Sequence, residues 1–527
     1  MERHPRRWLI LIVLCLSTLV LVIDNMVLTV AVPPIAEDLG ATAQDVQWIL
    51  ESYMLVFAGL LLTAGSLSDK YGRRKVMIIG LVVFGAASVM ATWANSPEQL
   101  IAARVFMGIG GALVMPSTLS ILITVFDEEE RPKAISAWSA VAMVGLVGGP
   151  VLGGALIAHF WWGSVFLINI PIAILAIIAA LILMPESKGP WRKADPLGMV
   201  LSVIGMAALV WTINELPKDG LGHTNVQIAL AVAVVSLVGF GIWETRVESP
   251  MVPLGLFKNR VFTGSSFSLV LLTFANGGLM LVLTQYLQYV LKYTPTETGL
   301  AFTPLAVATL IFNGVGSALI PKTGNRPIAV AGLLVIAGGF AVLSTLSVGD
   351  GWTPLIIAML LMGAGSGLAM PAVIAALMGA VPGEHAGVGS ALNDTIQQAG
   401  AALGVAVLGS VLTSTYKGGM PDGASDTARE SIQGALATGD KSLIETARDA
   451  FSDGMQASFL AGAAGVVAAA ILAVFLMRTP KDGALAEGDA EGQTAEATGA
   501  AGDGQDGVVA EPVLQKEVAA NGAEADR

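Results

Sequence analysis

The sequence contains one cysteine, Cys15, and four histidines in 527 residues. Without a second thiol it can build neither a disulfide framework nor a multi-cysteine metal or iron–sulfur site. Charge is also scarce, at 13% Asp, Glu, Lys and Arg, against about 25% in an average soluble chain. No His-Glu-x-x-His and no Gly-x-x-x-x-Gly-Lys-Ser/Thr stretch occurs, which removes zinc-protease and ATP-driven chemistry. What the chain has instead is 54% hydrophobic residues, a mean hydropathy of +0.72 and 61 glycines. That is the composition of a membrane protein.

The formal net charge of −12 is misleading until it is located. Residues 482–527 hold eleven carboxylates against Lys516 and Arg527, so most of the negative charge lies in the tail. The tail, residues 481–527, lacks aromatics and is expected to be a disordered acidic segment, because it cannot bury enough surface to offset its chain entropy. At the other end, Arg3, Arg6 and Arg7 precede an apolar run, as in a secretory signal. Many equally apolar runs follow and Asp24 interrupts this one, so it reads as a retained first membrane helix.

A helix crossing about 30 Å of hydrocarbon needs roughly 20 apolar residues. Fourteen stretches meet that length, from Trp8–Val32 to Gln456–Leu476, including Gly163–Met184, Phe262–Val290 and Thr298–Ile320. No strand alternation competes, so the expectation is an all-α membrane protein, a bundle of 14 transmembrane helices. With the N-terminus inside, the inner segments carry 19 Lys and Arg and the outer ones six, four of them in the long outer loop 413–455, which has an amphipathic helical pattern near Lys441 to Phe451. This bias predicts that both termini are cytoplasmic.

The chain also repeats itself. Met107 to Pro116 reads MGIGGALVMP and Met362 to Pro371 reads MGAGSGLAMP, and the same offset of 255 residues pairs Gly145 with Gly400 and Gly149 with Gly404. The fourth and fifth spans thus echo the twelfth and thirteenth. The division that follows is an N-terminal six-helix bundle (1–186), two inserted spans with linkers (187–261), and a C-terminal six-helix bundle (262–480). Parallel repeats of this kind build transporters that bind near the membrane midplane.

Ionisable side chains at membrane depth cost about 2.5–3.5 kcal/mol by insertion scales and mark functional positions. Asp24, Glu51 and Arg104 fall at similar depth in the outer half, given about 1.5 Å of rise per residue. A carboxyl group out of water holds its proton more tightly, and a guanidinium moved close releases it. Two carboxylates and one arginine in one layer therefore form a candidate proton-coupling site. Asn393 and Asp394, continued by Gln397 and Gln398, form a polar strip near mid-depth in the second half, a candidate substrate or second ion site.

Two further stretches concern motion. GSLSDKYGRRK, residues 65–75, joins the second and third spans: Gly65 and Gly72 allow close approach and a tight turn, Asp69 can face a helix N-terminus, and Arg73 and Arg74 anchor the inner face. In the fifth span, Gly145, Gly149, Gly153 and Gly154 offer small-residue packing, and Pro150 removes a backbone hydrogen bond.

These features together resemble the major facilitator superfamily, and within it the fourteen-span drug:proton antiporters, over about residues 8–477. Residues 65–75 are similar to the family's loop between the second and third spans, which implies that Asp69 and the arginines gate the cytoplasmic side, with Asp69 facing the N-terminal end of the thirteenth span. Arg104-Val-Phe-Met-Gly108-Ile-Gly110-Gly111 looks like the fourth-span motif implicated in proton transfer, with Met107 in place of its usual Gln. Gly145 to Gly154 resembles the fifth-span signature of exporters. Residues 23–33 resemble the branch's first-span motif, although Met26 and Thr29 depart from it. Trp162, Phe166, Asn169 and Pro171 resemble its sixth-span signature, with Ser164 where a second Trp is common. Trp48-Ile-Leu-Glu51-Ser-Tyr53 is similar to members that carry an acidic residue in the second span, and Asn393-Asp394-Thr395 to the thirteenth.

The resulting expectation is a multi-pass protein of the cytoplasmic membrane that exchanges protons for amphipathic, in part cationic, drugs or antibiotics. Its alternative is a proton symporter importing a small organic solute. Asp24, Glu51 and Arg104 would couple protons. Met26, Trp48, Tyr53, Met115, Asn276, Gln288, Asn393 and Asp394 would meet substrate. No catalytic residue, metal, cofactor other than the proton, nucleic acid or obligatory protein partner is expected. The partners are the substrate and the lipid bilayer.

Overall fold

The computed structural model describes residues 5–189, 195–219, 223–248, 250–293, 295–347 and 352–477. The acidic tail, 481–527, lies outside them. Among the described residues there is no strand. The first half comprises α1 (Arg7–Leu39), α2 (Ala43–Tyr71), α3 (Arg73–Thr92), α4 (Pro97–Val125), α5 (Arg131–His159), α6 (Ser164–Leu167) and α7 (Asn169–Leu183). Next come α8 (Pro196–Asp219) and α9 (Thr224–Glu244), which pack on each other. The remainder is α10 (Arg260–Gln285), α11 (Pro295–Ala301), α12 (Thr303–Thr323), α13 (Asn325–Leu343), α14 (Trp352–Gly379), α15 (Ala386–Gly419), α16 (Asp426–Glu430), α17 (Ile432–Ala437) and α18 (Lys441–Leu476). Thirteen segments are long and apolar enough to cross a membrane. The 29-residue α5 is a further long helix, in the place of the fifth expected span.

Local chemistry sets the helix ends. Gly40 closes α1 at φ +61°, its N–H donating to Ala36 O. Thr42 then caps α2, its hydroxyl accepting from Asp45 N while Asp45 Oδ2 accepts from Thr42 N, a reciprocal box that satisfies two otherwise unpaired donors. Gly72, at φ +117°, makes the sharp turn from α2 into α3, and Gly324, at φ +84°, makes the corresponding one from α12 into α13.

Helix boundaries depart from the sequence ruler in three places. The expected sixth span is broken at Ile168 into α6 and α7. The ninth leaves α-geometry after Gln285 and ends in a π-helical turn over Tyr286–Val290. The supposed outer loop 413–455 is largely helical: α15 continues to Gly419, and α18 starts at Lys441, where Asp440 accepts from Ser442 N at 3.0 Å. Hydropathy alone misses these ends, because a helix that extends into polar surroundings no longer needs apolar residues.

The sequence repeat reappears as a repeat of close contacts. A Cβ on Gly110 would come 2.8 Å from Gly80 O on α3, and one on Gly365 would come 2.5 Å from Gly332 O on α13. Gly145 and Gly149 of α5 lie against Val22 and Met26 of α1, as Gly400 and Gly404 of α15 lie against Val270 and Phe274 of α10. Small residues let these backbones touch, which in lipid supplies the dispersion energy that the hydrophobic effect supplies in water. Between the repeats, α2 and α4 pack on α15, and α5 packs on α12 and α14.

Candidate functional site

Asp24 and Arg104 meet between α1 and α4, with 2% and 1% of their surface exposed. Arg104 Nη1 donates to Asp24 Oδ2 at 2.5 Å, and the other carboxylate oxygen accepts from Asn169 Nδ2 of α7 at 2.8 Å. The rest of the guanidinium is also held. Nε donates to Ile49 O of α2 at 3.2 Å, Nη2 to Asn25 Oδ1 at 3.3 Å, and the group lies 4.5 Å from the Tyr53 ring centroid. Asn169 in turn reaches Ser88 Oγ of α3 at 3.4 Å. α4 and α7 thus meet the carboxylate of α1, with α2 holding the arginine and α3 the asparagine. An ion pair so buried offsets its desolvation only while both partners remain, and removal of one typically costs about 3–5 kcal/mol.

Glu51 stands on a different face of α2. Ile49 and Tyr53 are one turn apart on the face of α2 turned to Arg104, and Glu51, two residues from each, points roughly 200° around the helix from Ile49. It shares a face instead with Gln47, whose amide is hydrogen-bonded to Glu215 of α8. Depth along the membrane was read from the sequence, but rotation about the helix axis was not.

The turn between α2 and α3 is a clasp. Asp69 Oδ1 accepts from Gly387 N at 2.9 Å and Oδ2 from Val388 N at 3.0 Å, so the carboxylate sits on the N-terminus of α15, where the helix dipole favours negative charge. Arg73, buried, donates to the same Asp69 Oδ1 at 2.9 and 2.7 Å and to Gly383 O at 2.9 Å. Gly65 allows the approach, since a Cβ there would come 2.5 Å from Ala391 Cβ. Arg74 Nη1 donates to Met184 O at 2.8 Å. Sequence reading had missed Glu186: its carboxylate accepts from Arg74 N and Lys75 N at 3.1 and 3.2 Å, capping α3, and fills the space a side chain on Gly72 would need. On the same end of the bundle, Asn313 of α12 donates to Ser136 O of α5 at 3.0 Å.

In α5, side chains on Gly145 or Gly153 would run into Val22 or Val27 of α1, and Gly149 abuts Met26 Cβ, whereas Gly154 faces open space. Pro150 lies inside the helix, which continues through it. The candidate substrate positions are spread over several interfaces. Met26 packs between α1 and α5, Tyr53 lies under Arg104, and Asn276 accepts from Ser366 Oγ of α14 at 3.2 Å. Met115 is half-buried, Trp48 is exposed, and Gln288 belongs to the π-helical turn. Asn393 and Asp394 are buried, and Asn393 Nδ2 donates to Asp394 Oδ1 at 3.0 Å. Asp394 Oδ2 has no hydrogen-bond partner among the described residues. Gly387 and Ala391 meet α2, and helical spacing puts Asp394 on the same stripe.

A many-helix bundle with a duplicated core, a buried ion pair and a clasp between repeats matches the family model described as Major Facilitator Superfamily over residues 14–405 and 266–513. The chain belongs to that superfamily. Within the superfamily it is 35% identical to the multidrug efflux pump LfrA of Mycolicibacterium smegmatis over 488 residues, 89% of this chain and 96% of the relative. It is 30% identical to the tetracenomycin C resistance and export protein of Streptomyces glaucescens, over 90% and 93% of the two chains. The methyl viologen resistance protein SmvA of Salmonella typhimurium is also 30% identical, over 85% and 93%. Among solved structures, the human organic anion transporter MFSD10 superposes with a TM-score of 0.61 at 14% identity, covering 89% of this chain and all of that one, a likeness of fold. The protein is therefore a multi-pass membrane transporter, of a superfamily branch whose members are named for drug and antibiotic efflux.

Proposed function

We propose that the chain expels amphipathic drugs or antibiotics across the cytoplasmic membrane in exchange for protons, by alternating access. In this reading residues 1–186 and 262–480 are the two moving halves, 187–261 are inserted spans, and both termini are cytoplasmic. The observation that carries it is the buried Asp24–Arg104 pair, a carboxylate with one cationic partner among the described residues. Protonation of Asp24 Oδ2 would remove the attraction to Arg104 and leave the guanidinium to Ile49 O, Asn25 and the Tyr53 ring. A shift of α1 against α4 and α5 would then follow, along the glycine contacts at 145, 149 and 153. The Asp69–Arg73 clasp would be the cytoplasmic gate, closed in this arrangement. Asn393 and Asp394 would meet substrate from the second half. The proton is the only coupling partner this scheme requires. Export of structurally unlike compounds is supported by the relatives named for multidrug efflux and for resistance to tetracenomycin C and methyl viologen.

The test is reconstitution into proteoliposomes with an imposed pH gradient, an internal proton-sensitive dye and ethidium as cargo. Gradient-driven ethidium movement with opposite proton flux is expected, lost in Asp24→Asn. Equal export by Asp24→Asn, with or without a gradient, would end the proposal.

A further inference from the structure

The segment joining α15 to α18 closes over a cavity of about 380 Å³ that is separate from Asp24 and from the clasp. Its walls come from the end of α10, the π-helical turn, the outer part of α15, α17 and the start of α18. Among the described residues no charged side chain lines it. One part of the lining is apolar, from Leu281, Leu412, Ile432 and Phe451, and another is polar, from Gln285 and Thr413. Neither of those polar side chains is engaged in a hydrogen bond among the described residues. By contrast, Tyr416 is engaged, its hydroxyl donating to Ala428 O at 2.9 Å. At the exposed edge Gln433 of α17 is hydrogen-bonded to the Tyr289 hydroxyl.

The backbone supplies an independent sign that this wall is specialised. Leu291 N donates to Tyr286 O at 3.1 Å, an i to i−5 bond, and Lys292 stands at φ +62°, a region costly for a side chain with a Cβ. The π-helical turn rotates Tyr289 relative to an α-helical continuation, and such turns recur at functional sites. The size falls within the range of small-molecule pockets, which pair an apolar lining with a few polar groups that fix orientation.

We propose that this cavity is a second binding site, for an uncharged amphipathic molecule of drug size that carries a ring and hydrogen-bonding groups. The ring lies against Leu281, Leu412 and Phe451, while Gln285 and Thr413 bond its polar substituents. The described lining offers no carboxylate to offset the desolvation of a cation, which favours a neutral occupant. As a stage on an outward path the site rests on the export reading; as a binding site it stands without it.

The experiment uses the purified full chain and two radiolabelled probes, chloramphenicol, which is neutral and has a ring, hydroxyls and an amide, and tetraphenylphosphonium, a permanent cation. Gln285→Leu with Thr413→Val should weaken chloramphenicol binding at least about fivefold, by loss of two hydrogen bonds. Thr413→Trp, which fills the space, should abolish it. Tetraphenylphosphonium binding and thermal melting should stay as in the wild type. Failure of the wild type to bind chloramphenicol at millimolar concentration would overturn the proposal, as would equal binding by all variants or parallel loss of both probes. Asp24→Asn separates the two readings: chloramphenicol retained while export is lost supports the cavity, and loss of chloramphenicol from Asp24→Asn removes its claim to be a separate site.

Discussion

The two repeats share their packing but not their charges. Contacts of Gly145 and Gly149 with Val22 and Met26 correspond to those of Gly400 and Gly404 with Val270 and Phe274, which aligns Asp24 with Leu272. The offset of the MGIGGALVMP repeat aligns Arg104 with Met359. Where the first half buries an ion pair, the second buries a leucine and a methionine, both fully enclosed. The asymmetry also runs the other way, since Asp394 corresponds to Ser139. Glycine contacts are demanded by the helix geometry of each half, so duplication preserves them. Charge at depth is costly wherever it is not used, so each half keeps only what its own task requires.

That comparison can be broken by making the halves alike. Arg104→Met alone leaves Asp24 buried without its cation and should lower stability by about 3–5 kcal/mol and abolish export, read by thermal melting and by proteoliposome efflux. Asp24→Leu combined with Arg104→Met copies the second half, and should recover most of the stability but none of the gradient-driven export. Recovery of export by the double variant would show that the pair holds helices together and nothing more.

A somewhat smaller effect is expected at the clasp. Asp69→Ala removes two hydrogen bonds to the N-terminus of α15 and the partner of the buried Arg73. Transport should fall at least about tenfold, and a cysteine placed at the buried Ser390 should become reactive to a maleimide. An unreactive Ser390→Cys in that background would argue that the clasp does not hold the gate.

Gly110→Ala and Gly365→Ala sharpen the comparison from the packing side. Each adds a methyl group against a facing backbone, and each should cost about 1–3 kcal/mol by the same thermal assay. Widely different costs would mean that the repeat of contacts is only apparent. The smallest change is expected from Asp394→Asn, within about 1 kcal/mol in stability, because one of its oxygens already lacks a partner. Its effect should show in which compounds are exported.

Much of this was legible in the sequence. Runs of about 20 apolar residues are a one-dimensional property, imposed by membrane thickness, and the helices lie close to where the runs predicted them. The turn residues 65–75 and the glycines of the fifth span were also readable, because tight turns and close backbones admit few residue types. Other features were not. Asn169 stands in an apolar run without declaring a partner, yet it holds Asp24. Glu186, a polar residue just past a span end, looked like ordinary surface and caps α3. Within the segment expected as a loop, 413–455, the helical pattern near Lys441 to Phe451 was readable and α18 begins there, whereas the extension of α15 to Gly419 was hidden because it needs no lipid to form.

From the amino-acid order alone came the class of protein, an approximate set of its spans, its internal duplication and the identity of the residues too costly to bury without purpose. Which of those residues meet was settled only in three dimensions. Asp24 finds Arg104 while Glu51, two residues along α2 from Ile49 and Tyr53, lies on another face, because partnership depends on the rotation of each helix about its axis. That rotation follows from the glycine and side-chain contacts of neighbouring helices, which no single segment contains.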